Sequence, residues 1–406
     1  LEAVTLVSLD DIRKADRVLQ GRIIRTPLVY SPYFSKQIEG EVYLKLENLQ
    51  KTGSFKLRGA TYKIQTHLDR IGTRGVVAAS AGNHAQGVAL AAREAGIPAT
   101  IVMPEWASIT KQEATCAYGG QIVLKGQGIG ESIQEAMTLA ETEMTFIHPF
   151  DDPEAIAGQG TIALEIFSDL PEPDLIFVPV GGGGLIGGIA TAARSIRPET
   201  RVIGVQAEAC PSAYRSRQAG KVVRVEAQET IADGIAVKQP GELTFQIIQK
   251  KVDDILLVEE EQIASAVLTL LERKKMLAEG AGAVTVGALV NRLMPIPKGS
   301  KVVLVISGGN VDMPLLNRIL KKGLMKNGRL MKFAVHLADT PGSLARLLTL
   351  IAQLQANVLQ IDHHRNEEDL PIYVSRVELE LETRGWEHLN EVAQALRKAG
   401  YPVELQ

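Results

Sequence analysis

Gly181, Gly182, Gly183 and Gly184 follow an apolar run at residues 175–180 and precede Leu185, Ile186 and a stretch of helical period that ends near Arg194. Glycines let the backbone come close to an anion, and the unpaired N–H groups at the start of a helix then bind it, so a phosphate-bearing ligand is expected here. A tight turn with no ligand is the plainer reading, but such turns seldom need four glycines in a row. Gly182, Gly184 and Gly187 also satisfy the dinucleotide pattern GxGxxG, and Glu208 stands 21 residues after Gly187, where a ribose-binding acid would sit. On these residues alone a nicotinamide-dependent dehydrogenase stays open.

A turn of this kind needs a strand before it and a helix after it, and the chain supplies such pairs repeatedly. Short β-branched runs at residues 75–80, 99–103, 121–124, 175–180, 201–207, 255–258 and 301–307 alternate with stretches of helical period, after an opening helix at residues 8–19 announced by Ser8 and Asp11. Runs such as Val302 to Ile306 are apolar throughout, which predicts parallel strands covered by helices on both faces. The fold class is therefore α/β, in two units, because one sheet would need too many strands.

Six basic residues and no acidic ones, from Arg318 to Lys332, mark a composition shift that reads as a domain boundary, a solvated helix end and linker rather than a binding patch. Beyond it the order is strand (330–337), helix (341–355), strand (357–364), strand (372–382), helix (386–398) and strand (401–405). Leu344, Leu347, Leu348, Ile351 and Leu354 form one helix face with Pro341 in its first turn. This predicts a βαββαβ ferredoxin-like unit.

The 406 residues are 45% hydrophobic and 22% charged with a net charge of −3, an ordinary globular balance without the positive field that nucleic acid or anionic lipid would require. Cys116 and Cys210 are far apart and outside any metal-type spacing, so a cytoplasmic protein without disulfides is expected. Residues 1–13 lack the pattern of an export signal, and no run is long and apolar enough to span a bilayer.

Three further segments carry more specific information: Ser54-Phe55-Lys56-Leu57-Arg58-Gly59-Ala60, Ser80-Ala81-Gly82-Asn83-His84 and Ser307-Gly308-Gly309-Asn310. With the glycine quartet they make the chain, from about Val7 to Leu324, closely resemble the tryptophan-synthase-β-like (fold type II) pyridoxal phosphate enzymes, and within them the threonine dehydratases. The resemblance implies a catalytic region at 1–324, with a smaller subdomain at about 48–150 inserted in a larger one, a linker at 325–331, and a C-terminal unit at 332–406.

By that resemblance Lys56 forms the Schiff base with pyridoxal 5'-phosphate. The chemistry requires an amine that attacks the aldehyde, is displaced by the substrate amine, and is then free to take the Cα proton. Gly181, Gly182, Gly183, Gly184 and Leu185 would cradle the cofactor phosphate, and Asn83 would bond the 3'-oxygen of its ring. Ser80, Ala81, Gly82, Asn83 and His84 would offer the substrate carboxylate their N–H groups. Helix capping is the structural alternative for Ser80 and Asn83, and packing is the alternative for His84. Ser307 would face the pyridine nitrogen, where a hydroxyl makes the ring a weaker electron sink than an aspartate would and favours loss of the β-hydroxyl. Glu279 is a candidate to line the site, to help bind a monovalent cation, or to cap a helix.

Serine racemases of the group resemble the same pattern but place a serine at the position of Ala81 and an acidic metal ligand at the position of Tyr214, six residues after Glu208. Both departures argue against racemisation and against a metal at this loop. The C-terminal unit resembles an ACT domain through Asp339-Thr340-Pro341-Gly342-Ser343-Leu344. It implies an amino-acid effector, isoleucine being the one expected, near Asp339, Pro341, Gly342 and Leu344, with pairing of subunits into a homo-oligomer, a dimer or tetramer. A dimerising module without ligand is the alternative. The implied reaction is deamination of L-threonine to 2-oxobutanoate and ammonia, with L-serine as secondary substrate. A serine-preferring dehydratase, the nicotinamide dehydrogenase with a regulatory tail, and a silent amino-acid sensor are its rivals.

Overall fold

The computed structural model describes residues 6–141, 144–365 and 370–405, so part of the start read above, residues 1–5, lies outside the described residues. The chain divides into Leu1–Asp312 and Met313–Gln406.

The first unit holds strands β1 (Leu28–Tyr30), β2 (Glu41–Leu46), β3 (Val76–Ala79), β4 (Ala99–Met103), β5 (Gln121–Leu124), β6 (Thr145–Phe146), β7 (Leu175–Pro179), β8 (Arg201–Ala207), β9 (Asp254–Val258) and β10 (Lys301–Ile306). Its helices are α1 (Leu9–Leu19), α2 (Pro32–Ile38), α3 (Lys56–His67), α4 (Asn83–Ala95), α5 (Ile109–Ala117), α6 (Ile129–Ala140), α7 (Pro153–Asp169), α8 (Gly184–Ile196), α9 (Ser212–Ala219), α10 (Glu242–Lys251), α11 (Glu260–Lys274) and α12 (Gly280–Val290). One sheet runs β1-β2-β10-β7-β8-β9, parallel except for β1, and the other runs β5-β4-β3-β6, all parallel. β3 and β7 are buried along their whole length, which is why they read as unbroken apolar runs.

Ser8 caps α1 in a reciprocal capping box with Asp11, as expected. β1, β2 and β6 were not anticipated. β1 and β6 are only three and two residues long, and β2 carries Lys45 inside an apolar setting. That lysine is fully buried because Glu165 of α7 pairs with it.

The second unit consists of α13 (Met313–Lys326), β11 (Leu330–Ala338), α14 (Ser343–Gln353), β12 (Asn357–His364), β13 (Val374–Glu382), α15 (Trp386–Lys398) and β14 (Glu404–Leu405), with an antiparallel sheet β12-β13-β11-β14. After α13 this is the βαββαβ arrangement. The basic stretch is corrected: residues 325–331 hold the end of α13, a turn at Gly328 and the start of β11. The division into units falls before α13, whose charges project from a helix that buries Ile319 and Gly323. Pro341 is also corrected, since α14 begins only at Ser343, after Gly342 adopts φ +87°. Likewise β13 starts at Val374, leaving Ile372 89% exposed. Among the described residues no helix is long and apolar enough to cross a membrane.

Candidate active site

Lys56 is the first residue of α3, and the segment before it is stitched to the end of β10. Phe55 N–H donates to Ser307 O at 3.2 Å, and Ser54 forms an isolated antiparallel bridge with Gly308. The Lys56 amine donates to Pro149 O at 2.8 Å. Burial pulls this amine down to about 8, against the opposing charge of Glu279. Near neutral pH such an amine releases its proton far more readily than a surface lysine does, as a group that must act as both nucleophile and base requires.

The glycine quartet lies between β7 and α8, with Gly183 at φ +99° as the residue before the helix. A side chain on Gly182 would run into the Phe150 ring at 2.3 Å, and one on Gly184 would meet Phe150 O at 2.9 Å. Close approach therefore requires glycine at 182 and 184. The first N–H groups of α8 have no partner within the helix and point out of its positive end. Gly182 O is held by Thr244 Oγ1 at 2.7 Å.

Asn83 opens α4, where Gly82 holds the cap position without a side-chain cap, so neither Asn83 nor Ser80 serves as the cap. The Ser80 hydroxyl instead accepts from Gly82 N at 3.1 Å, which occupies one N–H of the expected carboxylate cradle. Asn83 Nδ2 donates to Glu279 Oε1 at 2.7 Å while its Oδ1 accepts from Asn310 at 2.8 Å, an arrangement that orients the amide. Glu279 precedes α12 without capping it. Burial and then the charge of Asp233 push its carboxyl up to about 8. His84 is buried with Nε2 on Ile147 O at 2.9 Å, and burial followed by the Lys56 charge drives it down to about 3. It is a packed neutral imidazole, in line with the structural reading. Ser307 is buried at the end of β10, its hydroxyl donating to Ala281 O at 3.3 Å.

The first unit thus brings Lys56, Asn83, Glu279, Ser307 and the glycine turn together, whereas Asp339, Pro341, Gly342 and Leu344 belong to the second unit. Sequence reasoning missed Pro149, Phe150, Thr244 and the linking role of Asn310. Of these Asn310 stood in the quoted 307–310 segment, and the 149–150 turn had a local signal in the Asp152-Pro153 start of α7 immediately after it. An amine held near neutrality beside a glycine-walled, helix-headed turn suits an aldehyde that bears a phosphate, as pyridoxal phosphate does.

The family profile described as "Pyridoxal-phosphate dependent enzyme" matches residues 19–308. The L-threonine ammonia-lyase of Thermotoga maritima is 50% identical over 401 residues, covering 98% of this chain and all of that protein. Among solved structures, maize serine racemase aligns with a TM-score of 0.74 at 34% identity, over 79% of this chain and 99% of its own. The processed threonine deaminase isoform 2 of Solanum lycopersicum aligns with a TM-score of 0.73 at 37% identity, over 77% and 86%. These likenesses overturn the nicotinamide reading of Gly182, Gly184 and Gly187. The chain belongs to the pyridoxal-phosphate dependent enzymes, and pyridoxal phosphate is its cofactor.

Proposed function

We propose that this protein removes ammonia from L-threonine to give 2-oxobutanoate, with L-serine as a secondary substrate. The observation that carries the reading is the half-buried Lys56 amine, held at about 8 and tied through Pro149 and Phe150 to the glycine turn. The near-complete match to an L-threonine ammonia-lyase supports the choice of substrate.

When bound, the cofactor supplies the aldehyde that takes up the substrate amine and the ring that draws electrons from Cα. Gly181, Gly182, Gly183, Gly184 and Leu185 would hold its phosphate at the start of α8. Asn83, oriented by Glu279 and Asn310, keeps one Nδ2 hydrogen for the 3'-oxygen. Ser307, buried at the end of β10, would serve the pyridine nitrogen of the bound cofactor. Lys56 takes the Cα proton, and the turn from Ser80 to His84 binds the carboxylate, with the 82 amide already engaged. Ala81 offers no proton from the other face, which keeps elimination ahead of racemisation.

In the second unit the βαββαβ fold supports an ACT-type reading, with an amino-acid effector near Asp339, Pro341, Gly342 and Leu344 and pairing into a dimer or tetramer. Asp339 already pairs with Arg365 at 3.3 Å, so an effector would compete with that contact. A cytoplasmic setting fits the reaction. The deciding measurement is the visible spectrum of the purified protein before and after threonine, with 2-oxobutanoate assayed in parallel. A cofactor band that threonine leaves unchanged, with no keto acid formed, refutes the assignment. Faster turnover on serine than on threonine would favour the serine-preferring alternative.

A further inference from the structure

The loop between β6 and α7 joins the two halves of the site, and one side chain shapes it. His148 Nδ1 accepts N–H groups from both Phe150, at 3.2 Å, and Asp151, at 2.8 Å. Two donors at Nδ1 leave no room for a proton there, so the neutral ring carries its hydrogen on Nε2. Burial first, and the Lys56 charge in the same direction, hold the imidazole at about 4 against Asp151, so it remains neutral under ordinary conditions. The ring also packs edge-to-face against Phe150, with centroids 4.8 Å apart.

Each of the next three residues then makes a contact that matters to the site. Pro149 O accepts the Lys56 amine at 2.8 Å. The Phe150 ring fills the space beside Gly182, where any side chain would collide with it. Asp151 caps α10 from outside, taking Glu242 N and Thr244 N at 3.0 Å each, and Thr244 Oγ1 in turn holds Gly182 O. The amine and the glycine turn are therefore connected through residues 149–151, and the geometry of those residues depends on the two bonds to His148.

We propose that His148 is a positioning residue: by accepting two backbone N–H groups at Nδ1 it sets the turn that holds the Lys56 amine and the phosphate-binding glycines at a fixed separation. The proposal rests on the assignment of Lys56 and the glycine turn made above. His148 itself need not touch the reacting atoms.

The test uses full-length His148→Asn and His148→Gln. Asparagine places its Oδ1 close to where Nδ1 stands, whereas glutamine places its polar atoms near Nε2 and leaves the two N–H groups without an acceptor. Two quantities are read: amide hydrogen exchange of residues 146–152 in cofactor-free protein, and the dissociation constant for pyridoxal phosphate from titration of the visible band. We expect His148→Asn to stay within about twofold of the parent in both, and His148→Gln to exchange faster and bind the cofactor about tenfold more weakly, since two half-buried donors are then left without an acceptor. Equal behaviour of the two variants, whether both intact or both impaired, overturns the proposal. Should His148→Gln not fold, His148→Asn alone decides: parental exchange and affinity support the role, and accelerated exchange overturns it. A parent protein that shows no cofactor band refutes the Lys56 assignment instead, and the exchange comparison still reports whether His148 shapes the turn.

Discussion

Replacing Arg58 by methionine should destabilise the first unit without touching the reacting groups directly. Arg58 is fully buried two residues after Lys56 on α3, and its guanidinium spans two carboxylates. Nε and Nη2 donate to Glu47 at 2.8 and 2.7 Å, Nη1 and Nη2 donate to Glu165 at 2.7 and 3.0 Å, and Nη1 also reaches Thr161 Oγ1 at 3.1 Å. Methionine fills much of the same volume but leaves Glu47, which is 0% exposed, with no charged partner other than the more distant Lys45. Removing one member of a buried ion pair costs about 3–5 kcal/mol. Melting entropy scales with chain length, so for a unit of this size the loss corresponds to a fall in Tm of roughly 5–8 °C.

The pH dependence of that deficit tests its cause. In the parent, burial alone would raise the Glu47 carboxyl, but the charge and hydrogen bonds of Arg58 prevail and hold it below the usual glutamate range. Its stabilisation is therefore present above the ordinary glutamate value and is lost as pH falls through the depressed one. In the variant burial, the largest influence, is opposed only by the Lys45 charge and the Thr26 hydrogen bond, so Glu47 is relieved by taking up a proton, and the gap between variant and parent should narrow from pH 7.5 to pH 5. Adding Glu47→Gln to Arg58→Met should recover part of the loss. Thermal unfolding of the cofactor-loaded full chain, followed by circular dichroism at both pH values, reads all three effects. A Tm shift under about 2 °C, a gap that widens on acidification, or a further loss in the double variant would refute the reasoning.

Lys56→Ala should remove the visible band and lower turnover by about a thousandfold or more, and in the parent the rate of Cα proton removal should rise with pH through about 8 as the amine becomes free base, both followed by 2-oxobutanoate formation. Gly182→Ala should weaken cofactor binding by about tenfold, because the new methyl group meets the Phe150 ring at 2.3 Å; unchanged affinity in a band titration would show that the ring yields freely. Glu279 is protonated in the folded protein up to about pH 8 but ionises in the unfolded chain near the ordinary glutamate value, so its contribution to stability declines as pH rises across that window. Glu279→Gln removes this decline while keeping the oxygen that Asn83 needs, and its Tm advantage over the parent should grow between pH 5 and pH 8; a constant difference would contradict the raised value.

Much of this molecule was legible residue by residue. Strands such as β3, β7 and β10 were readable because burial on both faces writes an almost uninterrupted apolar run, and Ser8 with Asp11 marked the start of α1. β2 escaped because Glu41 and Lys45 break its apolar pattern; the partner that lets Lys45 be buried, Glu165, lies on α7, far along the chain. In the basic segment 318–332 a helix end was legible but the boundary was not, because composition records charge and not the face on which it lies: the division falls before α13, and α13 and β11 take up most of the stretch read as linker.

The amino-acid order alone gave grounds for the α/β class and for a glycine turn suited to an anion, and by its resemblance to a known family it singled out Lys56, since each reading depends on residues adjacent in the chain or on a local period. Tertiary structure decided what those groups can do. The amine of Lys56 falls to about 8 only because folding buries it, and Asn83 is oriented only because Glu279 and Asn310, about 200 residues away, close around it. The same holds for the turn at His148, which joins Lys56 to Gly182 across 93 residues on one side and enters no short motif. Desolvation and hydrogen-bond geometry arise from groups that meet only when the chain folds, and no spacing along the sequence records them.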